Sequence, residues 1–360
     1  MLLLRQYNPS HTKVNYLKYR IILIFVAAVW LNACTPKPPV YHEQLVGFGT
    51  LIEVKIWNVD KKKGAEAVAL LAKDFDYMHR TWHPWEPGPL GRINQLLPMG
   101  DKFSVAPSVL PLIRKATLLS EKSEGRFNPA IGKLIKLWGF DGKQTPEAPP
   151  SPDQIEALLE KNPRMQDIKL EGIEISSTNS AVVLDFGGFA KGYGVDMAIE
   201  QLKILGLNNA IVNAGGDLRA IGSHGERPWR IGIRNPRGGG MLASVDVMGD
   251  ESVFTSGDYE RYFMHDGIRY FHIIDPHTGY PARGAVSVTV FHHSAAEADA
   301  AATALLVAGP EEWYEVARAM GVKGVILVDH RGKVYMTPGL KGRVHFDVKP
   351  LPTIEYSLPL

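Results

Sequence analysis

Cysteine is almost absent from this chain: among 360 residues, Cys34 stands alone. A single cysteine excludes an intrachain disulfide even in an oxidising compartment and leaves no redox dithiol. No H-E-x-x-H, paired C-x-x-C or G-x-S-x-G is present, so zincin, zinc-ribbon and α/β-hydrolase chemistry lose their main sequence support. No block of like charge and no repeat of solenoid period occurs, which sets aside charged tails and repeat arrays. What remains is an ordinary globular composition, 45% hydrophobic and 22% charged, long enough for one large domain or two modest ones. Thirty-five glycines and 25 prolines point to many turns.

The first residues read as an address rather than as fold. Arg5, Lys13, Lys18 and Arg20 form a basic leader ahead of an unbroken apolar run, "IILIFVAAVWL", over Ile21–Leu31. At about 1.5 Å per residue this run is too short for a bilayer core of about 30 Å, but it suits the apolar region of an export signal. "LNAC" follows and resembles a bacterial lipobox, with Asn32 a less usual residue in it. The resemblance implies a signal peptide over 1–33 and a lipidated Cys34, the alternative being a plain signal anchor with an incidental cysteine. Residues 34–44, beginning "CTPKPP", read as a spacer that holds a domain off a membrane. The expected location is the bacterial cell envelope, lipid-anchored and facing the periplasm. Thr35, where an aspartate would favour the inner membrane, leans toward the outer one. Loss of the leader removes four basic and no acidic residues, leaving 36 basic against 38 acidic. Bulk charge then gives no case for nucleic-acid binding.

Along the mature chain, "LVGFGTLIEVKIW" (45–57) alternates as a strand, and apolar residues at helical spacing predict a helix from Gly64 to about Arg80. Further helices are expected over Pro107–Ser123 and near Asp153–Lys161, Lys191–Ile204, Ala295–Val307 and Pro310–Met320. Between them lie strand candidates, "IKLEGIEIS", "AVVLDF", "NAIVNAGG", "WRIGIRN" and "MLASVDVMG". Strands in series with few crossover helices favour an α+β fold with mixed, largely antiparallel sheets and flanking helices. The simplest organisation is a single, bilobed catalytic unit over 45–350 with a short tail at 351–360.

Four segments carry chemistry. In "LDFGGFAKGYGVD" (184–196), Asp185 precedes a Gly187-Gly188 turn and Lys191 lies just inside the following helix. Such a junction aims backbone N–H groups and a positive dipole end at whatever sits there, often phosphate. It matches neither G-x-G-x-x-G nor a P-loop, and glycines that merely permit close packing explain it equally well. In "NAGGDLRAIG", Asp217 follows a glycine pair and reads as a cap in a hairpin. In the run from "TSGDYERYF" to "YFHIIDPHTGYP", His272 and Asp275 lie three apart around a short apolar strand; His272 is either a base or a satisfied structural histidine, and Asp275 either orients it or caps the "DPHTG" turn. In "SAAEADAAATALLVAG", Asp299 and Thr303 share one face of an apolar helix. Their two oxygens suit a hard cation such as Mg²⁺, or else Asp299 caps the helix and Thr303 bonds back along it.

Together and in this order, the motifs from "GFGT" at Gly47 to "GVILV" at Gly324 resemble the ApbE family of flavin transferases. The resemblance implies a T-fold-like enzyme that uses Mg²⁺ to cleave FAD and attach FMN, by a phosphoester, to a threonine or serine of an acceptor flavoprotein, releasing AMP. It carries metal positions onto the Gly188 carbonyl, Asp299 and Thr303, with Ala302 standing where some members have a carboxylate. It carries flavin positions onto Phe48, Trp82, Phe127, Asn128, Asp185, Lys191 and Ile273, with Phe48 replacing a common methionine and Asn128 a common aspartate. Phe48, Trp82, Phe127 and Tyr259 can pack on flavin or adenine faces. Lys191 and Mg²⁺ would neutralise phosphate while His272 takes the acceptor's proton. An FAD pyrophosphatase, releasing FMN and AMP, and a non-catalytic periplasmic flavin-binding lipoprotein are the alternatives.

Overall fold

Apolar side chains alternate along the strands of a nine-stranded sheet, so that its inner strands feed two cores. On Gly324–Asp329, Val325 and Leu327 join one core while Ile326 and Val328 join the other. Ala210–Ala214 divides likewise, with Val212 on the first side and Ile211 on the second. The computed structural model describes residues 38–142 and 146–360. The leader, Cys34 and the first residues of the spacer lie outside them.

The nine strands follow chain order across the sheet: Val40–Gly47, Thr50–Trp57, Ala210–Ala214, Asp217–Ile221, Glu251–Gly257, Ala285–His292, Gly324–Asp329, Val334–Met336 and Ile354–Tyr356. Every neighbouring pair is antiparallel except the last, which is parallel. Residues 351–360 are therefore more than a tail, because they supply that edge strand. Three long helices, Lys61–Trp82, Ala190–Ile204 and Ala295–Met320, bury their apolar faces in the first core. The second core lies under the Trp229–Arg234 and Met241–Val247 hairpin with Val344–Phe346. A third, smaller core gathers Trp138, Phe140, Ile155, Phe263 and Ile274 around the hairpin Tyr262–His265/Ile268–Phe271. Val40–Leu360 form one compact unit of α+β class. Among the described residues, no helix is long and apolar enough to cross a membrane.

Two local elements differ from expectation. Residues 45–57 are a hairpin rather than one strand, with Phe48 (φ 52°) and Gly49 (φ 73°) as its two turn residues. "AVVLDF" is an extended segment with a single bridge, Val183 to Ile131, rather than a sheet strand. The two helices expected after Ala295 are both present, separated at Gly309, whose φ of 66° and ψ of −175° break the helix just before Pro310.

Candidate active site

The helices Ala190–Ile204 and Ala295–Met320 pack against each other through small residues at their contact. Gly192, in Ala190–Ile204, lies against the start of Ala295–Met320, where a Cβ on it would come 2.3 Å from the Ala295 carbonyl oxygen. This approach lets the Gly192 N–H donate to Asp299 Oδ2 at 2.9 Å. The alanine helix is capped by Ser294, whose hydroxyl accepts from Glu297 N, and by Asp196, which accepts from Ala295 N and Ala296 N at 2.8 and 3.0 Å. Asp299 is therefore no cap. It is a buried carboxylate, 5% exposed, held by one backbone N–H, and its Oδ1 takes no hydrogen bond among the described residues. Burial, reinforced by Asp217 and opposed by Lys191, pushes its carboxyl up to about 7.

Lys191 forms an ion pair with Asp217 Oδ2, while Asp217 Oδ1 accepts the Thr255 N–H at 2.8 Å. Burial works against the ammonium, but the Asp217 and Asp299 carboxylates outweigh it and hold Lys191 above the usual lysine range. Asp217 thus does more than shape a hairpin: it fixes the ammonium. The turn before this helix is stabilised by Asp185 Oδ1, which accepts Gly187 N–H at 2.7 Å. Burial, only partly offset by that bond and by the Arg261 charge, raises the Asp185 carboxyl.

Gly188 sits where a Cβ would lie 3.1 Å from Thr303 Oγ1. The Ser256 hydroxyl is 3.4 Å from the same Oγ1. Backbone, carboxylate and hydroxyl oxygens therefore gather here, a donor set that suits a hard divalent cation. Among the described residues, no three His, Cys, Asp or Glu side chains are arranged to hold a metal. A cation at this place would therefore draw on Thr303, the Gly188 turn and ligand oxygens besides Asp299.

His272 follows the small hairpin, its N–H donating to the Arg261 carbonyl at 3.0 Å. Its buried Nδ1 has no hydrogen-bond partner among the described residues. Burial, with the positive charges of Arg261 and Lys191, pushes the imidazole down to about 3, so it is neutral at physiological pH. Asp275 does not orient it: Asp275 Oδ1 accepts His277 N–H at 2.9 Å and Oδ2 accepts the Thr278 hydroxyl at 3.2 Å, so it caps the turn.

Phe48 holds a left-handed backbone that a bulky residue rarely adopts. Its ring stacks on Trp82 at 6.0 Å and 8°, meets Phe75 edge-on, and lies so close to Gly194 that a Cβ there would be 2.7 Å from the ring. Tyr193 completes this aromatic wall, edge-on to Trp82 at 5.7 Å. The other expected flavin contacts stand differently. Phe127 is buried against Phe189, with only its ring edge 3.8 Å from the Cβ position of Gly188. Asn128 spends its amide on Pro163 O and Ala130 N–H, which locks the loop. Tyr259 packs under Arg234, 5.1 Å from the ring centroid. Ile273 is buried and ties Ala282 N–H through its carbonyl at 2.9 Å.

Lys191, His272, Asp299, Thr303 and the Gly188 turn, the core of the expected site, therefore stand together or within electrostatic reach. Sequence reasoning missed Asp217 as the lysine's partner, and also Ser256 and Arg261. For Asp217 the available signal was a carboxylate directly after a glycine pair.

Residues 48–326 match the ApbE family. The chain is 41% identical over 319 residues to an FAD:protein FMN transferase of Rhodobacter capsulatus, covering 89% of this chain and 61% of that longer protein. It is 34% identical over 257 residues to an FAD:protein FMN transferase of Vibrio cholerae, covering 70% of this chain and 76% of the relative. Among solved structures, an ApbE protein from Thermotoga maritima superposes with a TM-score of 0.77 at 32% identity, over 85% of this chain and 99% of that one. The flavin transferase ApbE from Vibrio cholerae gives 0.73 at 29% identity, over 84% and 99%.

Proposed function

Because the chain belongs to the ApbE family, we propose that it is a Mg²⁺-dependent FAD:protein FMN transferase acting on a threonine or serine of an acceptor flavoprotein. The observation that carries this reading is the meeting of a fixed cation, Lys191 on Asp217, with the oxygens of Asp299, Thr303 and the Gly188 turn. Phosphate needs positive charge, and a divalent cation needs oxygen.

Asp299, Thr303 and the Gly188 backbone would hold Mg²⁺, which when bound neutralises phosphate oxygens and orients the diphosphate. Lys191, kept protonated by its carboxylate neighbours, presents its ammonium to the same phosphates. His272, neutral and with an unpaired ring nitrogen, takes the proton of the acceptor hydroxyl as that oxygen attacks the FMN phosphorus. The new O–P bond forms, the anhydride bond to AMP breaks, and AMP leaves with the bridging oxygen. The wall of Phe48, Trp82 and Tyr193 supplies aromatic surface for a flavin or adenine ring. Lipidation at Cys34 would tether the catalytic unit to the cell envelope, facing the periplasm.

Purified protein, FAD, Mg²⁺ and a candidate acceptor domain test the reading in one tube. The expected result is AMP in step with flavin fluorescence that stays on the acceptor band after denaturation. AMP without a labelled acceptor points to the pyrophosphatase. FAD binding without AMP points to a passive carrier.

A further inference from the structure

Arg261 is an exposed arginine beside the site that the chemistry so far leaves unused. The hairpin register pairs Tyr262 with Phe271, and the His272 N–H bond to the Arg261 carbonyl extends it by one residue. Directly opposed residues of an antiparallel pair project from the same face, with Cβ atoms about 4.5–5.5 Å apart. Arg261 and His272 thus emerge side by side. Nearby arginines are otherwise engaged: Arg237 and Arg269 both pair with Asp258, and Arg234 covers the Tyr259 ring. Among the described residues, Arg261 has neither an ion pair nor a side-chain hydrogen bond. Its charge is nonetheless felt at two site groups, depressing the imidazole of His272 and opposing the rise at Asp185.

The site is short of positive charge for an anionic ligand. Two carboxylates, Asp217 and Asp299, act on Lys191, whose ammonium is paired with Asp217, while the Asp185 carboxyl lies within reach of the Arg261 charge. We propose that Arg261 grips a phosphoryl oxygen of the FAD diphosphate, making the site selective for flavin nucleotides over flavins without phosphate. The proposal rests on the transferase reading above. A guanidinium fork fits phosphate geometry, and the exposed Arg261 stands beside His272, whose buried Nδ1 has no protein partner among the described residues.

The test is fluorescence-quenching titration of FAD and of riboflavin, which has no phosphate, with wild type, R261Q and R261K. The expected result is FAD affinity about 10- to 100-fold weaker in R261Q, the range of one charged hydrogen-bonding contact. R261K should recover part of it, riboflavin affinity should be unchanged, and the ligand-free melting temperature should stay as in wild type. FAD affinity in R261Q within about twofold of wild type, or an equal loss for riboflavin, overturns the assignment while the transferase reading stands. Wild-type protein that binds no FAD overturns both.

Discussion

Asp299 shows what the site costs the fold. Its carboxyl is raised from 3.8 to about 7 by burial, so between about pH 4 and 7 the folded chain holds a proton that the unfolded chain has released. Metal-free stability therefore falls as pH rises through that window. Asp299→Asn removes the ionisation and keeps an oxygen for the Gly192 N–H. It should raise the melting temperature in chelator at pH 7 by a few degrees, yet abolish Mg²⁺-dependent AMP release. Calorimetry with chromatography of nucleotides checks both, and a melting temperature that falls would contradict the burial argument. His272 behaves in the opposite sense, since its proton is lost far below neutrality and it needs no deprotonation step at pH 6–8. His272→Ala should lower AMP release about 10²- to 10⁴-fold while FAD still binds. Unchanged turnover would remove the imidazole from proton transfer.

At the scale of elements, the close contact of two helices at Gly192 and Ala295 sets the geometry. Gly192→Ala would drive a Cβ into the Ala295 carbonyl and lengthen the bond to Asp299. The expected loss is about 1–3 kcal/mol in denaturant melts, together with reduced AMP release. A variant with wild-type stability and turnover would show that the helices tolerate separation. Much of this layer was legible: helical spacing gave the Lys61–Trp82 helix to within a few residues, and Gly309-Pro310 announced the break in the alanine helix. The pairing of Asp299 with Thr303 followed from their four-residue spacing. Contacts between distant segments were not legible. Asp217 reaches Lys191 across 26 residues, and Asp196 reaches Ser294 across 98. The "AVVLDF" segment misled because a buried extended stretch has strand composition, yet it pairs only briefly, with residues 129–132, and joins no sheet. It is also held by Asn94, which donates to Leu184 O at 2.8 Å and accepts its N–H at 2.7 Å.

Across the whole molecule, residues far apart in the chain converge because sheet strands follow one another in order while helices return to one face. Phe48 comes from the first hairpin, Lys191 from the helix before the third sheet strand, and Asp299 and Thr303 from the helix after the sixth. The second face, beneath the Trp229–Arg234 hairpin, contributes no expected site residue except through the strands it shares, so the two cores divide support from chemistry. Family-level recognition was legible because five short motifs kept their order. Phe127 and Asn128, matched by the same motifs, turn out to hold their loop through burial and backbone bonds rather than to present open faces.

The proposed chemistry requires a divalent cation between the Gly188 turn and the alanine helix to hold the diphosphate of a flavin dinucleotide. Anomalous diffraction from crystals grown with FAD and Mn²⁺ tests it most directly. A peak is expected within coordination distance of Asp299, the Thr303 hydroxyl and the Gly188 carbonyl, with diphosphate oxygens completing its shell. FAD bound with no peak there, or with its diphosphate away from Lys191, would contradict it.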